Sequence, residues 1–311
     1  MPQIKPNKPL VSVIIPHLNQ QAALEACLHS LYAQTVERTF EIIVVDNGSA
    51  SSLTPMVARN PNVLFLSELQ PGPGMARNRG IKASTGEILA FIDADCLAHP
   101  DWLKAALHAL ERVPDRTILG GDVQIWRDSN GGVTALEAYE SVFAYRFQLY
   151  IEKHGFSGTG NLVVRRREFF KIGPFRGIDV AEDIDWGQRA RAAGYSFLYV
   201  PDMIVFHPAR RSLEELFVKW DRHIQHALNT GRSGRSMWRL SWVLRAFAIL
   251  ASPLLDWTKV LTSNRVHGAS ARIKAIYVLS VVRAYRAYRM LYLLFSNGRV
   301  IWNRDSTIVR P

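Results

Sequence analysis

Through the first 200 residues, short apolar, β-branched runs alternate with stretches of helical period. VSVIIP (11–16), EIIVVD (41–46), VLFLSE (63–68) and the run ending at Asp93 read as strands, and ILGGDVQI (118–125) and GNLVVRR (160–166) as later ones. Between them AALEACLHSLYAQ, MARNRGIKAS and HPDWLKAALHALERV carry apolar residues at helical spacing. AEDIDWGQRARAAG (181–194) reads as a helix that starts on acids and stops at Gly194, followed by SFLYVP and MIVFH. This alternation predicts an α/β domain, a mostly parallel sheet flanked by crossover helices.

The sheet-like pattern stops at His207 to Arg210, which divides the chain into a domain at 1–210 and a region at 211–311. Charge divides there too. Residues 210–311 carry 18 Lys+Arg against 5 Asp+Glu, whereas the whole chain has a net charge of +11, so the basic excess lies in the last third. The ten uncharged residues between Arg245 and Asp256 include Pro253 and fall short of the roughly 20 needed to span a bilayer. AIYVLSVVRAYRAYRMLYLLF is longer, but Arg283, Arg286 and Arg289 at a spacing of three gather on one side of a helix, an in-plane pattern. With Trp238, Trp242 and Trp257 flanking the first run, the expected partner is an anionic membrane surface, bound without spanning. Nucleic acid is not expected, since long aliphatic runs separate the arginines. A helical subdomain packed on the core or on a second subunit is the alternative.

With 311 residues and 48% hydrophobic content the chain is globular. Cys27 and Cys96 supply neither a disulfide framework nor zinc spacing, and MPQIKPNKP lacks a signal-peptide core. The expected location is cytoplasmic, peripheral on the inner face of the membrane.

Candidate chemistry concentrates where strands end. ILAFIDADC delivers Asp93 and Asp95 at the carboxyl end of a buried strand, where open α/β sheets form their ligand crevice. Two hard oxygen donors there suit a divalent cation bridging to phosphate oxygens; a helix cap plus turn chemistry would also account for them. PGPGMARNRG is not a dinucleotide fingerprint, because Arg77 stands where a third glycine is needed. It offers instead a helix start with a guanidinium, an anion site. Asp46 in VVDNGS and Asn19 in PHLN are candidates for nucleotide contact or for turn chemistry alone. His17 and His99 have no partner by spacing and read as loop residues, and Arg165 to Arg167 as a solvated helix start, with contact to an anionic acceptor as the alternative.

In order, VSVIIPHLN, VVDNGS, GMARNRG, AFIDADC, GTGNLVVRRREFF and AEDIDWGQRARAAG resemble glycosyltransferase family 2, inverting enzymes of the GT-A fold, over roughly residues 10–208. The resemblance implies that Asp46 and Arg77 bind the nucleotide, that Asp93 and Asp95 address ribose and the metal-bound diphosphate, and that Asp183 is the catalytic base. It also implies a metal role for His207, with Mn2+ or Mg2+ as cofactor. Asn19 joins the nucleotide-sugar contacts, and Asn161 and Glu182 those to acceptor or sugar, although Glu182 and Asp185 read equally as surface acids complementing the helix dipole; Trp186 reads either as a flat face for a sugar ring or as a core tryptophan. Leu18 stands where an aromatic is frequent, and Ala181 and Trp186 replace the usual Gly and Leu, departures that bear on sugar and acceptor identity. No Q-x-x-R-W run of processive synthases follows.

The residues permit that chemistry on their own. Transfer from a nucleotide diphosphate sugar needs negative charge stabilised on the leaving diphosphate and a base on the opposite face of the sugar. Asp183 lies between Glu182 and Asp185, and repulsion within such a cluster raises proton affinity. The expected activity is a single sugar addition to a glycan or lipid-linked acceptor in cell-surface glycan or glycolipid synthesis. A catalytically inactive sugar-nucleotide-binding or scaffolding relative is the alternative. A nucleotidyltransferase would need a glycine-rich loop where this chain has HLNQQ.

Overall fold

The computed structural model describes residues 8–127, 131–178, 180–232 and 237–295. In chain order the elements are β1 (Val11–His17), α1 (Gln21–Tyr32), β2 (Phe40–Asp46), α2 (Thr54–Arg59), β3 (Val63–Ser67), α3 (Pro73–Ala83), β4 (Ile88–Ile92) and β5 (Leu97–Ala98). There follow α4 (Trp102–Glu111), β6 (Thr117–Trp126), α5 (Ala135–Phe143), α6 (Phe147–Leu149, running into a π turn at Tyr150–His154), β7 (Asn161–Arg165) and α7 (Arg166–Ile172). The last are α8 (Glu182–Ala192), β8 (Ser196–Pro208), α9 (Leu213–Arg232), α10 (Trp238–Ala251), α11 (Pro253–Thr262) and α12 (Ala269–Phe295). The described residues fall into two compact units, one drawn from Met1–Gln124 and Tyr145–Pro208, the other from Ile125–Ala144 and Ala209–Pro311.

The first unit is built on a sheet of order β3-β2-β1-β4-β7-β6-β8-β5. It is mixed: β3, β2, β1 and β4 run parallel, whereas β7 lies antiparallel to β4 and β6, and β5 to β8. An apolar run records burial and not direction, which is why the pattern alone could not separate the two halves. Alternate residues of β1 and β4 feed two cores. Val11, Val13, Ile15, Ala90 and Ile92 pack with α1 and α4, while Ile14, Leu89 and Phe91 pack with α3, α7 and α8. A strand covered on both faces reads as a continuous apolar run, and each fully buried Val, Leu or Ile contributes about 1.5–3 kcal/mol. Helix α3 approaches the sheet at Gly80, where a Cβ would meet Ile14 Cγ2 at 2.7 Å. SFLYVP and MIVFH fuse into one strand, β8. Because β5 pairs with it only at Val205 and Phe206, most of one β8 edge lacks a β5 partner, and Pro201 is tolerated without a ladder donor.

The second unit is helical, and it includes Ile125–Ala144, which the sequence division at 210 leaves with the first. Helix α5 opens on a capping box between Thr134 and Glu137. Its Tyr139 packs with Leu216, Val278, Leu279 and Val282, and its Ala138 with Val260 and Ala275, so its apolar face finds partners far along the chain. The in-plane reading of α12 is corrected. Arg283 donates to Asp256 at 2.7 Å, Arg289 donates to Asp221 at 2.9 and 3.1 Å, and the Arg286 guanidinium sits 3.7 Å from the Trp220 ring centroid. Burial, then Arg283, lowers the Arg286 pKa to about 10. The spacing gathers these arginines as expected, but toward partners within the unit and not toward a headgroup layer. Trp242 is likewise buried, donating to the Met290 carbonyl at 2.8 Å.

Candidate active site

The candidates Asn19, Asp46, Asp93 and Asp95 lie where β1, β2 and β4 end. Parallel register aligns His17 with Asp46, the last residues of β1 and β2. His17 is accordingly a buried partner and not a free loop residue: Nδ1 lies 3.1 Å from Asp46 Oδ1, and Nε2 accepts from the Gln20 amide at 3.1 Å. Ser49 adds a hydroxyl bond to Asp46 Oδ1 at 2.5 Å. Asn19, at φ +56°, bridges the two strand-end loops, accepting from the Ala50 amide at 2.8 Å while its own N–H reaches Ser49 Oγ. The signal for His17 lay in strand pairing, which spacing along the chain does not report.

Asp93 and Asp95 do not act as a same-facing pair. After Ile92 the chain turns, with the Cys96 amide donating to the Asp93 carbonyl at 3.0 Å, so the two-residue alternation of extended backbone is lost. Asp93 Oδ1 accepts from Arg77 Nη2 at 2.7 Å, and Arg77 Nη1 reaches Glu182 Oε1 at 3.1 Å. Arg77 is only 3% exposed. Its expected role as an open anion site gives way to a clamp between two carboxylates, whose charges, with their hydrogen bonds, hold its pKa up against desolvation. Gly160 makes room for Asp93, since a Cβ there would stand 2.6 Å from Oδ2.

Asp95 faces different partners. Its Oδ2 lies 3.4 Å from His207 Nε2 and 3.4 Å from Gln20 Nε2. Pairing of β5 with β8 at Leu97↔Phe206 brings these residues together across the sheet edge. His207 Nδ1 lies 2.6 Å from the Pro208 carbonyl, an acceptor only, so in the neutral ring Nδ1 carries the proton and Nε2 presents its lone pair. Tyr145, whose hydroxyl is 2.9 Å from Nε2, packs on the ring at a centroid distance of 4.5 Å. Sequence reading missed Tyr145, for which no local motif exists. Ligand atoms of Asp95, Cys96 and His207 lie within 4.8 Å of one another. Burial, then Asp93 and Asp95, pushes the Cys96 thiol well above its ordinary range, while a carboxylate oxygen and an imidazole lone pair are ready donors. The donor set therefore fits a divalent cation such as Mn2+ at Asp95 and His207.

At the start of α8 the three acids separate by partner. Glu182 is held by Arg77, and Asp185 accepts from Arg176 and from Arg189, each at 2.9 Å. Asp183 accepts from the Ile184 amide at 2.8 Å, and among the described residues no cationic side chain pairs with it. Burial, then the Glu182 charge, raises its pKa above the ordinary carboxylate value.

Two sugar-contact expectations are corrected. Trp186 is buried against Phe169 at a centroid distance of 5.6 Å, with Nε1 donating to the Gly173 carbonyl at 2.9 Å. Asn161 is 0% exposed: its amide donates to the Asp122 and Met203 carbonyls at 2.8 Å, and its oxygen accepts from Trp102 Nε1 at 2.9 Å. Asn161→Ala would strand three buried groups and should cost about 3 kcal/mol, read as a lower urea midpoint; an unchanged midpoint would contradict this reading. Arg165 and Arg166 are not solvated either. Arg165 donates to the Leu110 carbonyl at 2.5 Å, and Arg166 to Ser84 Oγ and the Ile81 carbonyl. Arg167 pairs with Asp115 and Glu168.

Comparison with known proteins gives a consistent picture. The family profile described as "Glycosyl transferase family 2" matches residues 12–179. Glycosyltransferase AglE of Haloferax volcanii is 36% identical over 210 residues, which cover 65% of this chain and 68% of that protein. The amylovoran biosynthesis glycosyltransferase AmsB of Erwinia amylovora is 29% identical over 204 residues, covering 61% and 66% respectively. Among solved structures, the mannosyltransferase PcManGT from Pyrobaculum calidifontis, in complex with GDP-Man and Mn2+, superposes with a TM-score of 0.57 at 20% identity, over 94% of this chain and 88% of that one. S. aureus TarS 1-349 in complex with UDP-GlcNAc gives 0.50 at 18% identity, over 90% and 91%. At such identities the structural likeness speaks to the fold, which is GT-A-like.

Proposed function

Because this chain belongs to glycosyltransferase family 2, we propose that it transfers a single sugar, with inversion, from a nucleoside diphosphate sugar to an acceptor hydroxyl in cell-surface glycan or glycolipid synthesis. The observation that carries this reading is the sorting of the α8 acids: Glu182 and Asp185 are paired with arginines, and Asp183 is left with a raised proton affinity. Asp183 takes the proton of the acceptor hydroxyl as its oxygen attacks the anomeric carbon. The bond from that carbon to the diphosphate oxygen breaks on the opposite side, and its electron pair leaves with the nucleoside diphosphate. Glu182 is a positioning residue, since through Arg77 it is tied to Asp93 on the donor side. Asp46, buttressed by His17 and Ser49, is the contact for the nucleoside. The donors in the structural relatives, GDP-Man and UDP-GlcNAc, are of the class proposed here.

Asp95 and His207 would hold the divalent cation, which when bound neutralises charge on the leaving diphosphate. His207→Ala should raise the Mn2+ dissociation constant roughly tenfold or more in a calorimetric titration without donor, while the urea midpoint stays near wild type. An unchanged titration would assign His207 a structural role with Tyr145. The reading as a whole is tested by incubating the protein with donors and Mn2+ and following nucleoside diphosphate release with and without acceptor.

A further inference from the structure

The helical unit carries an apolar ridge that its own fold leaves uncovered. Leu240, Leu244, Phe247 and Leu250 on α10 are each about half exposed or more, and Leu254 and Leu255 on α11 are 71% and 78% exposed. Positions 240, 244 and 247 share one helical face, while Trp242 and Ala246 are buried. Pro253 stands at the first position of α11, and the two helices bend by 44°. No single described helix is long and apolar enough to cross a membrane, but this bent pair together has the composition of a broken span or a re-entrant segment.

The charge exposed along the ridge has one sign. No ionisable side chain occurs from 246 to 255, and Arg239 and Arg245 on one flank are exposed. Lys259, on the other flank, is also exposed. The one acid of the pair, Asp256, is buried and turned inward, accepting from Arg283 at 2.7 Å and from Lys259 at 2.6 Å. Trp257, 41% exposed, adds an indole beside the leucines. Leucines bordered by exposed cations and an indole match acyl chains beneath an anionic headgroup layer.

We propose that α10 and α11 form a bent wedge that enters one leaflet of an anionic membrane at its cytoplasmic face, without crossing it. Insertion belongs to these two helices and not to α12, whose arginines are engaged within the unit. The test is flotation of the full chain with vesicles of phosphatidylcholine alone or mixed with phosphatidylglycerol. Binding is expected only to the mixed vesicles, weakening as salt rises. Leu254→Glu combined with Leu255→Glu should lower the partition coefficient roughly 100-fold, about tenfold for each leucine removed from the acyl region. Leu64→Glu, at an exposed leucine on β3, should float as wild type does. Leu244→Ser with Phe247→Ser tests the same face from α10 should the first pair perturb folding, which circular dichroism reports. A chain that ignores anionic vesicles at low salt would overturn the proposal, as would ridge variants that float normally. So would a dimer, seen by light scattering without vesicles, that the substitutions convert to monomer.

Discussion

Asp183→Asn is expected to lower turnover about 100-fold or more with donor binding close to wild type, because the amide keeps the shape and loses the proton acceptor. A mutant with normal turnover would move the base role to a neighbouring acid. The same residue sets the acid limb of the pH profile. A base works when ionised, and burial with the nearby Glu182 charge raises the Asp183 pKa, so activity should fall at a higher pH than for an ordinary aspartate. Glu182→Gln removes the like charge and leaves the Arg77 cation less compensated. Both changes favour ionised Asp183, so the limb should move to lower pH. A limb that stays in place would show that Asp183 does not govern it.

Asp95→Ala should lower transfer by roughly 10³-fold, and chelator should do the same to the wild-type protein, since the charge on the leaving diphosphate would lose its partner. The expected loss is selective. Among the described residues the side-chain partners of Asp95 are Gln20, Cys96 and His207, at distances of 3.4 Å or more, so its removal should leave the urea midpoint nearly unchanged. Full activity in chelator would contradict the metal assignment.

How much was legible in the sequence follows from the range of the interaction. Apolar runs predicted the strands and the two-layered α/β core because burial on both faces writes a continuous signature. The motif order pointed to the family, and the strand-end acids do gather at one end of the parallel strands. What the sequence could not report was pairing across the sheet. His17 looked unpartnered because Asp46 is 29 residues away and becomes its neighbour only through register. Asp93 and Asp95 looked like a same-facing pair because the turn after Ile92 is not encoded in the alternation that precedes it. Asn161 and Trp186, polar and aromatic residues inside family-like motifs, read as ligand contacts, yet their hydrogen bonds close on buried backbone and on Trp102. The arginines of α12 carried the correct periodicity, but periodicity names a helix face and not what that face meets.

The most direct test of the account is transfer itself. The full chain is incubated with Mn2+, a soluble hydroxyl acceptor and a panel of nucleoside diphosphate sugars, and the anomeric configuration of the product is read by proton NMR. A donor should be consumed to an inverted product, and chelator or Asp183→Asn should stop this. A retained configuration, the same rate with Asp183→Asn, or no donor consumed at all would contradict it, the last result favouring an inactive sugar-nucleotide-binding relative.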